Sequence, residues 1–222
     1  MESVKSINKS ASSSGHTTEQ KPVYDFFKRI FDIICSSVAL IILSPVFLIL
    51  AAAIKITDKG PVFFTHRRVG KGGKPINIYK FRSMVTNAED LIKQFTPEQK
   101  AEYERNFKLE NDPRVTKVGK FMRRTSLDEL PQLFNILKGD ISIVGPRPVM
   151  EVETEIYGNY RDMLLSVKPG LTGFWAANGR SCTTYTRRRA MEICYIKNRS
   201  VCFDLKIILK TITSVFKGEG AV

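Results

Sequence analysis

Apolar positions along this chain follow three kinds of pattern. From Ile30 to Ile54 they run almost unbroken, about 25 residues, which is the length a membrane helix needs. Val62 to Thr65 and Ile76 to Phe81 are short β-prone runs separated by Gly70-Lys71-Gly72-Gly73-Lys74, a hairpin pattern. Elsewhere the spacing is helical. Leu130, Leu133, Phe134 and Leu137 recur at i, i+3, i+4, i+7 and predict one buried face. Pro131 is tolerated only in a first turn, so that helix is expected to start close to Asp128, with Gly139 ending it as the C′ residue.

The remaining elements follow from punctuation. Thr96-Pro97-Glu98 opens a polar helix to about Leu109, ended by Asn111-Asp112-Pro113. Val118 to Arg124 is a basic amphipathic segment, and Glu151 to Leu165 reads as helical. Lys168-Pro169-Gly170 makes a turn, Leu171 to Arg180 a loop, and Arg187 to Ile196 a helix. Asp204 is expected to cap a last helix in which Leu205, Ile208, Leu209, Ile212, Val215 and Phe216 share a face, suited equally to a core or to a membrane interface. The Ser-, Lys- and Thr-rich residues 1–21 predict a disordered tail. The expectation is an α+β chain, mostly helical: tail 1–21, membrane segment 22–56, main domain 57–217 and a short tail 218–222.

Three readings compete for the apolar run: a cleaved signal peptide, a single span, and a re-entrant dip into one leaflet. Its length and late start argue against a signal peptide. Ser44-Pro45 lies near its middle, where proline removes a backbone hydrogen bond and predicts a kink. Lys28 and Arg29 precede it; Lys55, Lys59, Arg67 and Arg68 follow. Positive charge on both sides favours the same compartment for both ends, hence the re-entrant reading. Asp32, one turn in, prefers an interfacial depth.

The net charge of +13 points to anionic partners. Cys35, Cys182, Cys194 and Cys202 form no C-x-x-C pair and Cys35 lies in the apolar run, which argues against zinc or disulfide scaffolding and for free thiols. With His16 and His66 the whole histidine complement, a histidine-based triad has little material. The glycines of 70–74 lack the G-K-[ST] ending of a phosphate-binding loop and read as turn residues.

The chemistry therefore falls to carboxylates and basic groups. Ser126-x-x-Glu129 is a capping-box pattern, which alone would explain Asp128 and Glu129 as a helix start. Adjacent on a helix, the two address one centre rather than flank a bond as glycosidase carboxyls do. They suit a carboxylate that attacks phosphorus beside Mg²⁺, with Arg123, Arg124 and Arg147 to clamp phosphoryl oxygens. A membrane-tethered module for nucleic acid or acidic lipid, using Arg187 to Arg189, is the alternative; no nucleic-acid motif accompanies that run.

The chain resembles the small monotopic phosphoglycosyl transferases of the bacterial sugar transferase family. The likeness rests on Lys28-Arg29-Ile30-Phe31-Asp32, Ser44-Pro45, Ile78-Tyr79-Lys80-Phe81-Arg82-Ser83-Met84 and Arg124-Thr125-Ser126-Leu127-Asp128-Glu129-Leu130-Pro131-Gln132. It continues through Gly145-Pro146-Arg147-Pro148, Lys168-Pro169-Gly170-Leu171-Thr172-Gly173 and Asn178-Gly179-Arg180. The resemblance implies transfer of a phosphosugar from a UDP-sugar to undecaprenyl phosphate, with UMP released, at the cytoplasmic face of the bacterial inner membrane. It implies Asp128 as nucleophile and Mg²⁺ contact, Glu129 as its assistant, and Arg123, Arg147, Arg180, Pro146 and Lys80 at the substrate and its phosphates. Ser44 and Pro45 would break the re-entrant helix, amphipathic helices would lie at the interface among anionic lipids, and no nucleic acid is involved. Trp175-Ala176-Ala177, Glu192-Ile193-Cys194-Tyr195 and Asn198-Arg199-Ser200 depart from the usual Trp-Gln-Val, Asp-Val-Tyr-Tyr and Asn-Trp-Ser.

Overall fold

A computed structural model describes residues 19–106, 109, 111–179 and 184–216. Most of the expected tail, its residues 1–18, lies outside them, as do Arg180, Cys182 and the C-terminal residues 217–222. Glu19 and Lys21 are held: the Arg199 guanidinium donates to the Glu19 carbonyl at 2.6 Å, and the Lys21 ammonium to the Arg199 carbonyl at 3.3 Å.

The apolar run forms one helix, α1 (Pro22–Asp58), about 55 Å long at 1.5 Å per residue. It is long and apolar enough to cross a membrane. Its inward stripe binds the rest of the chain along its whole length. Tyr24 and Lys28 reach the Asp204 carboxylate. Arg29 donates to the carbonyls of Ile136 (2.6 Å) and Leu137 (2.7 Å). Asp32, buried, accepts from the Ile143 N–H at 3.0 Å and the Ser142 hydroxyl at 3.1 Å. Ala39, Leu40 and Leu43 pack on Ile78, Leu133 and Ile136, and Val46, Phe47, Leu50 and Ile54 on Phe81 and Met122. Asp58 closes the far end, 3.0 Å from Arg82 as a charge pair but without hydrogen-bonding alignment. The opposite face, with Phe26, Ile30, Ile34, Ile41, Leu48 and Ile56, is exposed.

Pro45 lies inside this helix. It has no N–H for the Ile41 carbonyl four residues back; the Ser44 hydroxyl donates to that carbonyl instead, at 2.8 Å. The Ser-Pro pair thus breaks a backbone bond and replaces it from the preceding side chain, the repair an apolar medium demands.

Strands β1 (Phe63–Val69) and β2 (Pro75–Phe81) form the expected hairpin, antiparallel with Phe64 opposite Lys80 and His66 opposite Ile78. Gly72 and Gly73 take positive φ in its turn. Helices α2 (Ala88–Lys93) and α3 (Pro97–Asn106) follow. Thr96 and Gln99 make a reciprocal capping box at the start of α3: the Thr96 N–H donates to Gln99 Oε1 and the Gln99 N–H to Thr96 Oγ1. Helix α4 (Lys117–Thr125) is capped by the Thr116 hydroxyl and ends at Ser126, whose φ of 57° turns the chain.

That turn changes the expected helix start. Ser126 makes no capping bond, Leu127–Glu129 is a 3-10 turn, and α5 spans Gln132–Lys138 with Pro131 just outside it. The capping box is not made because Ser126, in the left-handed region, belongs to the end of α4. Gly139, at φ 90°, ends α5 as expected. Phe134 is exposed, set edge-on to Phe47, while Asn135 and Ile136 take the core positions.

The expected helix of 151–165 is broken into α6 (Glu151–Thr154), a 3-10 stretch and α7 (Arg161–Leu165), because Gly158 adopts φ 51°. The expected loop after Gly170 begins as a strand: β4 (Gly170–Thr172) pairs in parallel with β3 (Ser142–Val144). Helices α8 (Tyr185–Asn198) and α9 (Val201–Phe216) complete the body. Asp204 does not cap α9. It lies within the first turn and accepts from Tyr195 as well as from Tyr24 and Lys28, while the Ser200 hydroxyl accepts from the Phe203 N–H. Ile207 is buried, and Leu205, Leu209 and Ile212 form an exposed apolar stripe.

Candidate active site

The polar face of the site is assembled around α5. Asn135 is fully buried, and its side chain ties α5 to the hairpin: the Tyr79 N–H donates to its Oδ1 at 2.9 Å, and its Nδ2 donates to the Asn77 carbonyl at 2.7 Å and to Asp140 at 3.2 Å. This clamp sets the height of Lys80, whose ammonium pairs with Glu129 at 2.7 Å. On the other side Gly119 lets α4 approach the Ser83 carbonyl, where a Cβ would come within 1.9 Å. That approach brings Arg123 Nε to the Ser83 hydroxyl at 2.9 Å.

Asp128 lies between these two anchors and is buried. Burial pushes its pKa above the usual carboxylate value, the Lys80 and Arg123 cations pull it down, and Glu129 adds to the rise; the net direction is up. Its own backbone N–H donates to it, and no side-chain donor to it is found among the described residues. It is a buried carboxylate with cations near. Among the described residues, no group of three His, Cys, Asp or Glu is arranged to hold a metal. The Asp128–Glu129 pair still fits Mg²⁺, which is typically bound through one or two carboxylates plus substrate phosphates.

Arg147 makes its contacts in a neighbouring cluster, and both it and Lys80 act on His66 between the two. It projects from the loop after β3 into a second cluster. The loop is pressed backbone to backbone on residues 168–173, with Gly145 N–H on the Thr172 carbonyl and Gly170 N–H on the Pro146 carbonyl. A Cβ on Gly145 would sit 2.6 Å from the Lys168 carbonyl. The Arg147 N–H donates to Glu192 Oε1 at 3.1 Å, and its guanidinium lies 5.6 Å from the Trp175 ring centre; Arg188 is at 4.9 Å from the same ring. Glu153 is the hub, accepting from Arg68 (3.0 Å), from the Met150 N–H (2.7 Å) and from Arg188 (3.5 Å).

Of the residues singled out from sequence, Asp128, Glu129, Lys80 and Arg123 are brought together. Pro146 and Arg147 stand in the neighbouring cluster, Arg124 is exposed, and Arg180 lies outside the described residues. The sequence reading missed Glu153 and Arg68, whose only signal was a charge inside an otherwise ordinary element. Arg188 is the buried member of the Arg187–Arg189 run, so the run is neither a solvated face nor a recognition surface throughout. Glu192 had a signal, as the Glu where the Asp of Asp-Val-Tyr-Tyr is usual. Wholly buried, with Oε2 unbonded, it has its pKa raised to about 7 by burial, against the pull of the Arg147 N–H and of Arg188 and Arg147.

The profile of the bacterial sugar transferase family matches residues 23–218. The chain belongs to that family. The match takes in α1 as well as the body, so the helix is part of the family's unit. The chain is 48% identical over 200 residues to the undecaprenyl-phosphate galactose phosphotransferase of Salmonella typhimurium, covering 88% of this chain and 42% of that protein. It is 42% identical over 225 residues to the exopolysaccharide production protein ExoY of Rhizobium meliloti, covering 98% of this chain and all of that protein. It is 46% identical over 207 residues to the UDP-glucose:undecaprenyl-phosphate glucose-1-phosphate transferase of Klebsiella pneumoniae, covering 88% of this chain and 41% of that protein. The chain thus spans under half the length of the first and third, and the full length of ExoY.

Proposed function

We propose that this sugar transferase is a phosphoglycosyl transferase that moves a phosphosugar from a UDP-sugar to undecaprenyl phosphate in two steps. The observation that carries the proposal is Asp128: a buried carboxylate with no side-chain donor among the described residues, flanked by Lys80–Glu129 and Arg123, on a body bound along an apolar helix. In the first step an Asp128 oxygen attacks the phosphorus that carries the sugar. The P–O bond to the uridine phosphate breaks, and UMP leaves with the bonding electron pair. In the second step an oxygen of undecaprenyl phosphate attacks the same phosphorus and Asp128 departs as carboxylate. Arg123 and Lys80 balance the charge gathered on the phosphoryl oxygens. Mg²⁺, held by Asp128 with support from Glu129 and the substrate phosphates, would supply charge neutralisation and favour the ionised carboxylate.

The lipid arm rests on α1. Polar groups near its start and at its end are paired with the same body, so crossing a hydrocarbon core about 30 Å thick would pull one end off its partners. Both ends therefore lie on one side, taken as the cytoplasmic face, and the exposed faces of α1 and α9 rest in one leaflet. This monotopic arrangement gives a lipid phosphate access to Asp128 from the interface.

The test is UMP release from a panel of UDP-sugars by the purified chain with undecaprenyl phosphate. Asp128→Asn and chelation by EDTA are each expected to abolish it. Turnover by Asp128→Asn at more than a few per cent of the unmodified rate would remove Asp128 as nucleophile.

A further inference from the structure

One titratable group between the two clusters has no place in that mechanism. His66 lies on β1, opposite Ile78 of β2. Lys80, two residues further along β2, projects from the same hairpin face, a diagonal neighbour at about 7–8 Å between backbones. The imidazole Nδ1 is 3.3 Å from Arg68 Nη2. A guanidinium can only donate, so Nδ1 is the acceptor, and in the neutral ring the proton sits on Nε2. Arg68 is itself fixed, donating to Glu153 at 3.0 Å. Glu153, Arg68 and His66 form a chain of hydrogen bonds that leaves the Nε2–H as the ring's donor, with no partner for it among the described residues.

The charges facing the ring come from every element around it: Arg68 on β1, Lys80 on β2, Arg147 after β3, and Glu153 on α6. Burial comes first in lowering the pKa of His66, and the three cations add to it against Glu153. The ring is therefore neutral at pH 7 and offers a directed hydrogen bond where the surrounding charge draws in anionic oxygen.

We propose that His66 is a substrate-binding residue whose Nε2–H donates to a phosphoryl oxygen of the sugar nucleotide, on the side of the site shared by Lys80 and Arg147. This rests on the phosphoglycosyl transfer proposed above, and it links the Asp128 cluster to the Arg147 cluster through one ligand. Lys80 and Arg147 supply charge; His66 supplies direction.

The test separates the two proposals. The chain has two histidines, His16 and His66, so imidazole ¹⁵N spectra of the full protein in nanodiscs are assignable with His66→Gln. His66 is expected as the Nε2–H tautomer at pH 7.5, and UDP with magnesium chloride is expected to shift its Nε2 resonance while leaving His16 unchanged. An Nδ1–H tautomer, or no response to UDP, overturns the proposal. In turnover, His66→Ala should raise KM for the UDP-sugar about tenfold, as loss of one hydrogen bond to a charged group does. His66→Gln should stay within about threefold, because its amide oxygen can accept from Arg68 while its NH₂ donates outward. A wild-type KM in His66→Ala removes His66 from binding while leaving the transfer reaction intact. Absence of UMP release by the unmodified protein removes the reaction instead, and the UDP-dependent spectrum then decides His66 alone.

Discussion

Removing the Asn135 side chain tests how the site is held. Its amide makes three hydrogen bonds from a fully buried position, to Tyr79 N–H, Asn77 carbonyl and Asp140. Asn135→Ala leaves a main-chain donor and a main-chain acceptor without their partner, each costing about 1–3 kcal/mol when it remains buried. A loss of about 4 kcal/mol is the central expectation. At 222 residues, where 1 kcal/mol moves Tm by about 2–4 °C, this means a fall of about 8–16 °C. Asn135→Asp is the sharper probe. It keeps the acceptor for Tyr79 but sets an anion against the Asn77 carbonyl and the Asp140 carboxylate, so it should be the less stable of the two at pH 7. Both should slow turnover, because Lys80 follows Tyr79 directly and loses its fixed height beside Glu129. Thermal unfolding in nanodiscs, read with UMP release, checks this. A Tm within 2 °C of wild type for Asn135→Ala, or an Asn135→Asp variant more stable than Asn135→Ala, would refute the clamp.

Ser44→Ala leaves the Ile41 carbonyl without a donor in an apolar medium and is expected to cost about 1 kcal/mol; Ser44→Thr should restore it, as thermal unfolding in lipid would show. Glu192, with a pKa raised to about 7 by burial against the pull of the Arg147 N–H and of the Arg188 and Arg147 cations, binds its proton more tightly folded than unfolded. Its contribution is complete below about pH 4.5 and declines as pH rises through 7, by roughly 3 kcal/mol in all. Glu192→Gln, still an acceptor for the Arg147 N–H, should therefore gain stability relative to wild type as pH is raised from 4.5 to 8 in denaturant titrations. Gly119→Ala places a methyl 1.9 Å from the Ser83 carbonyl. It should push α4 outward, lower Tm and cut UMP release by loosening Arg123, whereas Gly72→Ala, strained by its φ of 71° but meeting nothing within 4 Å in the hairpin turn, should cost no more than about 1 kcal/mol and leave UMP release unchanged.

Much of the architecture was legible because it rests on local rules. The apolar run, the hairpin with its glycine turn and the C′ role of Gly139 each need only neighbours in sequence. What escaped depended on distant partners. The β3–β4 pair joins three-residue strands separated by 25 residues of helix and turn, too short for any periodicity to register. Ser126 looks like a capping residue, yet its backbone was already committed to ending α4. Phe134 fits the buried stripe by spacing but faces outward beside Phe47 of α1, while Asn135 and Ile136 take the core. The dyad was visible because two carboxylates near arginines are unusual, while Glu153 and Glu192 are single charges whose burial appears only after folding. Lys28 and Arg29 read as flanking charges, and their value lies in the carboxylate and carbonyls they meet.

Those two residues and Asp32 bear on how the protein is made. Each is satisfied by a group more than a hundred positions downstream: Arg29 by Ile136, Asp32 by Ile143, Lys28 by Asp204. In this sequence α1 precedes every group named here as its partner, so those groups are made after it. Until then it is an apolar rod with unpaired charges near one end, indistinguishable from a segment meant to cross. A fragment ending after Asp58 would carry nothing to hold its two ends on one side. In the proposed arrangement, the body that follows, rather than the apolar segment by itself, is what holds both ends of α1 on one side.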